Sequence, residues 1–329
     1  MASYKEIHGT NIQVVASDPS NPIDGQVWYN STSKVLKGFK SVPASWASGG
    51  NLNTARGQMS GAGTQTAALG FGGYASTGPV ALTESYNGSS WTEVGDINSA
   101  RRLAAGGGTQ TAAIIAGGHE PPPTAQTETW NGSSWTEVGD MNTGRRQHTG
   151  DGTVPSFLAF GGEPPQTEKT ESWNGSSWTE VADLNTRRSN AGASGASNTS
   201  SLCFGGVKFN PGGDPPTGGA HNESWNGSSW TELADLNTPR YGVTGAGGSA
   251  TAALAMGGTQ DPPVVAITET WNGSAWTETA DLSTARNMGD AGAGTNTVGL
   301  CFGGFEPSRS VKTEEFSGGG PSTVTFSTD

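Results

Sequence analysis

"TETWNGSSWTEVGDMNTGRR", residues 127–146, decides the fold because the chain writes it again and again. "TESYNGSSWTEVGDINSARR" (83–102) precedes it and "TESWNGSSWTEVADLNTRR" (170–188) follows. The same units share an apolar-Gly-Gly phrase: Phe71-Gly72-Gly73, Ala116-Gly117-Gly118, Phe160-Gly161-Gly162, Phe204-Gly205-Gly206, Met256-Gly257-Gly258 and Phe302-Gly303-Gly304. The Trp after the NGSS-like turn recurs in step at Trp91, Trp135, Trp178, Trp230 and Trp276. Spacings of this size mark solenoids, propellers or arrays.

Turn chemistry chooses among them. Each unit contains a Gly/Ala-rich segment, then a phrase such as "TAALGFGG", then "TESY", then "SWTEV", all short and bounded by Gly, Asn, Asp or Pro. That is the signature of four strands, and no window sustains a helical period. Six four-stranded antiparallel sheets arranged radially would make an all-β, six-bladed β-propeller, with the Gly/Ala-rich strand innermost, where side chains must be small. Asn131-Gly132 predicts a two-residue type I′ hairpin, which would set Trp130 opposite Ser133 and Glu128 opposite Trp135. Both Trp then share one face. The NGS phrases also match glycosylation sequons, but turn chemistry explains them better.

The sixth unit lacks its Trp strand. "SWASGGNLNTAR" (45–56) aligns with "SWTEVGDINSAR" (90–101), so Trp46 is expected to complete the last sheet from the N-terminal side. The domain expectation is an attachment hairpin over 1–40, a propeller over 41–317 and a C-terminal tail over 318–329.

The order of doublet, aromatic and Trp resembles the Kelch repeat over about residues 42–316, with the aromatic and Trp five apart (Tyr86 to Trp91) where Kelch repeats usually leave six. The resemblance implies a propeller of six or seven blades that binds proteins or sugars. A minority of such propellers are copper oxidases, whose Tyr, His and Cys ligands find no counterpart set here.

Composition narrows the function. Seventeen Lys and Arg against 29 Asp and Glu give a net charge of −12. Nucleic acid is therefore not an expected partner, because binding it takes a basic surface. No apolar run approaches the ~20 residues of a membrane span, and "MASYKEIHGT" has no apolar signal core. Cys203 and Cys301 share a slot that holds Gly70, Ile115, Ala159 and Ala255 in other copies, so both read as buried core thiols. No spacing matches a zinc, nucleophile or phosphate motif, and no enzyme activity, metal or cofactor is expected.

Every unit carries an Arg after its Asn-Thr-like turn, at Arg56, Arg101, Arg145, Arg188, Arg240 and Arg286, and a Glu before its third-strand aromatic, at Glu84, Glu128, Glu171, Glu223, Glu269 and Glu314. An Arg ring could bind an anion. A group written six times fits a repeated structural contact better, with each Arg bonded to a carboxylate or carbonyls. The Asp series (Asp96, Asp140, Asp183, Asp235, Asp281) reads as turn chemistry rather than calcium ligation.

Between the second and third strands the copies disagree: "YASTGPVAL", "HEPPPTAQ", "EPPQTEK", "VKFNPGGDPPTGGAHN", "TQDPPVVAI" and "FEPSRSVK". Loops on a rigid scaffold commonly carry specificity, which makes His119, Glu120, Lys208, Phe209 and His221 the candidate binding residues. "DPSNPIDGQVWYNSTSKVLKGFK" (18–40) belongs to no repeat. It resembles segments near the ends of structural proteins of tailed bacteriophages, marine ones especially. The resemblance implies a virion protein: a head decoration, fibre or tail-tip adhesin. Trp28, Tyr29 and Phe39 would attach it to other virion proteins or to sister chains, and the loop face would meet host-surface glycan or protein. A bacterial Kelch-like lectin or protein-interaction module is the other reading.

Overall fold

The computed structural model describes residues 12–208, 217–260, 262–287 and 291–326. Those residues form strands and turns only, with no helix. They divide into two compact units, one of residues 45–317 and one of residues 1–44 with 318–329.

The larger unit holds six four-stranded antiparallel sheets. Sheet 1 is Ser60–Thr64, Ala67–Phe71, Thr83–Tyr86 and Trp91–Glu93. Sheet 2 is Ala105–Thr109, Ala112–Ala116, Thr127–Trp130 and Trp135–Glu137. Sheet 3 is Thr149–Thr153, Ser156–Phe160, Thr170–Trp173 and Trp178–Val181. Sheet 4 is Gly192–Ser197, Ser200–Phe204, Asn222–Trp225 and Trp230–Glu232. Sheet 5 is Thr244–Ser249, Ala252–Met256, Thr268–Trp271 and Trp276–Glu278. Sheet 6 is Gly292–Gly294, Val298–Phe302 and Thr313–Ser317, completed by Ser45–Ser48 from the other end of the repeats. Phe316 lies opposite Trp46 in that last pairing, their rings 5.0 Å apart.

The hairpin register differs from the type I′ expectation. Trp130 lies directly opposite Trp135 and Glu128 opposite Glu137. The loop has four residues, not two, because Asn131 uses its side chain: Oδ1 accepts the N–H groups of Ser133 and Ser134 and the Ser133 hydroxyl. This Asx-type turn is closed by Asn131 N–H donating to Ser134 O. Adding two residues preserves parity, so both Trp still share a face.

That face builds the core, which lies between sheets rather than within one. Leu69 and Phe71 of sheet 1 pack with Ile115, Trp130 and Trp135 of sheet 2. Equivalent clusters join sheets 2 and 3, 3 and 4, and 4 and 5. Leu300 and Phe302 of sheet 6 pack with Tyr86 and Trp91 of sheet 1. Four of the fourth-strand Trp also send the indole N–H back to a third-strand Thr of the preceding sheet. Trp135 donates to Thr83 at 3.2 Å, Trp178 to Thr127 at 3.0 Å, Trp230 to Thr170 at 3.1 Å and Trp91 to Thr313 at 2.9 Å. Where Asn222 replaces the Thr, the indole N–H of Trp276 is buried without a partner.

The first strand of each sheet packs against the first strands of its two neighbours, and that of sheet 6 against those of sheets 5 and 1. Small residues are obligatory there: a Cβ at Gly245 would lie 2.0 Å from Ala193 O.

The smaller unit corrects the expectation of a separate tail. Val27–Asn30 and Val35–Val42 form the expected hairpin, but Gly320–Phe326 pairs along Val35–Val42 and Gln13–Val15 adds in parallel on the other side. This makes a seventh four-stranded sheet. A two-stranded hairpin is marginal in water, and the chain supplies the missing partner itself. "GPSTVTF", rich in β-branched residues, suits a strand. Cross-strand neighbours Val14–Tyr29–Leu36–Phe326 and Val27–Gly38–Val324 lie on one face, where Val14 is 65% exposed and Phe326 45%. Removing residues 318–329 is expected to abolish slow amide exchange over 36–42; protection there unchanged in the shortened chain would contradict the pairing.

Candidate functional site

The six Arg are pinned. Arg101 Nη1 meets Glu128 Oε1 at 2.5 Å with both side chains buried, and Arg56 meets Glu84 at 3.0 Å. Arg145–Glu171, Arg188–Glu223, Arg240–Glu269 and Arg286–Glu314 repeat the pair. Carbonyls complete it, as where Arg56 donates to Gly72 O at 3.0 Å and Gly70 O at 3.3 Å. The other carboxylate oxygen has its own partner, one that the sequence pattern offered but the spacing argument missed. Glu128 Oε2 accepts the backbone N–H of Asn98 at 2.7 Å and its side-chain amide at 2.6 Å. Asn53, Asn142, Asn185 and Asn237 do the same in other copies. One Glu thus fixes both the Asn and the Arg of the connection entering its sheet. These Arg belong to the frame and are spent on it. Burial disfavours the guanidinium charge of Arg56, Arg145 and Arg240, and the paired Glu opposes that loss. The Asp series also holds backbone, with Asp96, Asp183 and Asp281 accepting the N–H of Thr83, Thr170 and Thr268.

The buried thiols match the core reading. Cys203 and Cys301 are free, and burial pushes them up to about 12 and about 11. Both are inert as nucleophiles.

Antiparallel succession sends the NGSS turns to one end of each sheet and the variable loops, with the connections between sheets, to the other. At that second end the backbone repeats a bridge six times: Gly57–Tyr74, Arg102–His119, Arg146–Glu163, Ser189–Val207, Tyr241–Thr259 and Asn287–Phe305. The bridge is constant while its side chains are not. Next to it Leu103 N–H donates to Gln58 O, Gln147 N–H to Leu103 O, Asn190 N–H to Gln147 O and Gly242 N–H to Asn190 O. Gln58, Leu103, Gln147 and Asn190 take φ of 56°, 57°, 56° and 54° to make this chain of bonds, a region that side chains enter at a cost. The corresponding stretch of the sixth copy, 288–290, lies outside the described residues.

Three sheets contribute to one cluster on this end. The guanidinium carbons of Arg102 and Arg309 each lie 4.4 Å from the centre of the Tyr74 ring. Arg102 Nη1 donates to Gln58 Oε1 at 2.7 Å. His119 follows, its charged form disfavoured by burial and by Arg146 and Arg102. Arg146 pairs with Glu163 at 3.0 Å.

Between the first strands lies a cavity of about 480 Å³, lined by all six sheets. Its one carboxylate among the lining residues is Asp151, where the equivalent positions hold Ala62, Gly107, Ser194, Ala246 and Ala293. Its oxygens accept Gly152 N–H at 2.7 Å and, across to sheet 4, Gly195 N–H at 2.6 Å. Burial outweighs these bonds and pushes the carboxyl up to about 7. A raised value favours the protonated folded state, so the contribution is full below the ordinary Asp range and fades as pH rises through about 7. Asp151→Asn is therefore expected to flatten the loss of thermal stability between about pH 4 and about pH 7; melting curves of the variant that still fall as steeply as the parent's over that range would refute this. His148, also at the cavity, is buried, bonded to Ala116 O at 3.0 Å and held down to about 3 by burial and Arg145.

The residues singled out from sequence are not gathered into one site. His119 sits in the Arg cluster and Glu120 is exposed beside it. His221 is at the base of sheet 4, its carbonyl holding Arg188 Nη1 at 2.8 Å and its ring 4.0 Å from Asp235. Lys208 lies in a short strand opposite Thr217, and Phe209 falls outside the described residues. Trp28 is fully buried, its indole N–H on Asp18 at 3.0 Å. Lys37, Asn30 and Trp28 together hold that carboxyl down to about 2. Of the three attachment residues Tyr29 alone shares the exposed apolar face; Trp28 and Phe39 point to the other side of the sheet. Tyr74, Arg102 and Arg309 were missed, although the slot after each Gly-Gly doublet reads Tyr, His, Glu, Val, Thr, Phe and so already marked the place. Among the described residues no three His, Cys, Asp or Glu side chains converge to hold a metal. No family model matches the chain, and no curated protein matches it.

Proposed function

We propose that the six repeat sheets make one six-bladed, Kelch-like propeller closed by Ser45–Ser48. The propeller serves as a structural protein of a bacteriophage virion, a decoration, fibre or tail-tip component, and not as an enzyme. The core shared by sheets 6 and 1 supports closure. The variable bridge positions support a recognition end that meets host-surface glycan or protein. The observation that carries attachment is the exposed apolar face of the terminal sheet, two cross-strand rows on a unit made from both chain ends. Contiguous exposed apolar surface of this kind marks contact with another protein, here another virion protein or a sister chain.

The test is stoichiometry. The protein should band with purified particles at a fixed copy number and resist a high-salt wash, since an apolar contact is not screened. Its absence from particles would overturn the virion reading in favour of a bacterial lectin or interaction module.

A further inference from the structure

We infer that Tyr74, Arg102 and Arg309 form a binding site for the oxyanion groups, carboxylate or sulfate, of an acidic saccharide. Two guanidinium carbons at 4.4 Å from one ring centre lie within twice that distance of each other. Like charges so close repel unless something neutralises them. Among the described residues neither Arg has a carboxylate partner: Glu163 is taken by Arg146, and Glu306 by Arg286 and Lys312. The Nε atoms of Arg102 and Arg309 are buried and lack an acceptor. His119 is held towards its neutral form partly by this same positive field.

The cluster is thus a local excess of positive charge on a chain of net −12. The Tyr ring holds the two guanidinium groups by cation–π attraction; Arg102 keeps Nη1 on Gln58, and among the described residues Arg102 Nη2 and the Nη atoms of Arg309 remain to meet an oxyanion. Guanidinium matches carboxylate and sulfate in a bidentate way that an ammonium cannot. The surrounding acidity selects the polymer: a chain with a charge on every phosphate would be repelled by the rest of the surface, whereas a saccharide with a sparse charge need place only one or two groups here. Tyr241 at the same end offers a hydroxyl partner for a sugar.

This rests on the recognition role proposed for the loop end, and its test is independent of virion assembly. Binding of the intact protein to hyaluronan and to κ-carrageenan oligosaccharides, which carry a carboxylate or a sulfate on every second sugar, would be measured by calorimetry at low salt, with neutral dextran and oligothymidylate beside them. One of the two acidic saccharides should bind, and which one does tells carboxylate from sulfate. Arg309→Gln and Arg102→Gln should each weaken it about tenfold or more, while Lys169→Gln, in an exposed pair elsewhere, should leave it unchanged. An unaltered melting temperature for Arg309→Gln excludes unfolding as the cause. Particles carrying Arg309→Gln should still contain the protein at full copy number, so a failure here is distinguishable from a failure of the virion reading. No binding to either saccharide, binding undiminished in both variants, or oligothymidylate bound as tightly would overturn the assignment.

Discussion

Glu128→Ala is expected to destabilise the repeat unit by about 3–5 kcal/mol, the range for removing one partner of a buried pair. Three donors lose their acceptor together: Arg101, the Asn98 backbone and the Asn98 amide. Arg101 then stays buried and charged, with Ser99 O as its remaining partner. The comparison is Glu163→Ala, whose pair with Arg146 is about a quarter to a third exposed and should be worth about 1 kcal/mol or less. Replacing Arg101 and Glu128 together by Met and Leu should cost less than Glu128→Ala alone, because no charge is stranded. Urea midpoints measure all three. A midpoint for Glu128→Ala no lower than that for Glu163→Ala would show that the clasp does not hold the frame.

That clasp also shows what a sequence discloses. Six Arg and six Glu in step announced a structural contact, since a feature copied into every unit must satisfy every unit. Asn98 and its counterparts carried the same signal, and were absorbed into the turn that surrounds them. The Trp130–Trp135 register was read two residues short because an Asn side chain can replace a backbone turn, and Asn-Gly alone does not say which it will do. Gly320–Phe326 was invisible for a different reason. Its partner lies almost 300 residues away, and no local pattern encodes so distant a pairing. The recognition cluster was half legible: variable loops pointed to the right end, but Tyr74, Arg102 and Arg309 come from separate copies, and only folding makes them neighbours.

Trp135→Ala is the second large effect, about 3–5 kcal/mol. The ring is buried, packs on Phe71 at 4.9 Å and Trp130 at 5.6 Å, and gives its N–H to Thr83. The sequence alignment alone would assign Trp46 the same cost. The structure separates them: Trp46 is only partly buried and donates to Ala280 O, leaving the buried Thr268 hydroxyl without a partner. Trp46→Ala should therefore lower the melting temperature by clearly less than Trp135→Ala. Equal drops would mean that the closing strand is packed as tightly as the repeated ones.

Ser45–Ser48 finds its partner in Thr313–Ser317, and Val35–Val42 finds one in Gly320–Phe326. During synthesis the earlier member of each pair leaves the ribosome first and must wait for the later one. At about 5–20 residues per second that wait is on the order of 15–50 s. Five sheets can form in the order in which they are made, while the sixth and seventh cannot be finished until Thr313–Ser317 and Gly320–Phe326 have been made. A chain stopped before Thr313 would keep most of its repeats and still present two open strand edges, the template on which other chains pair.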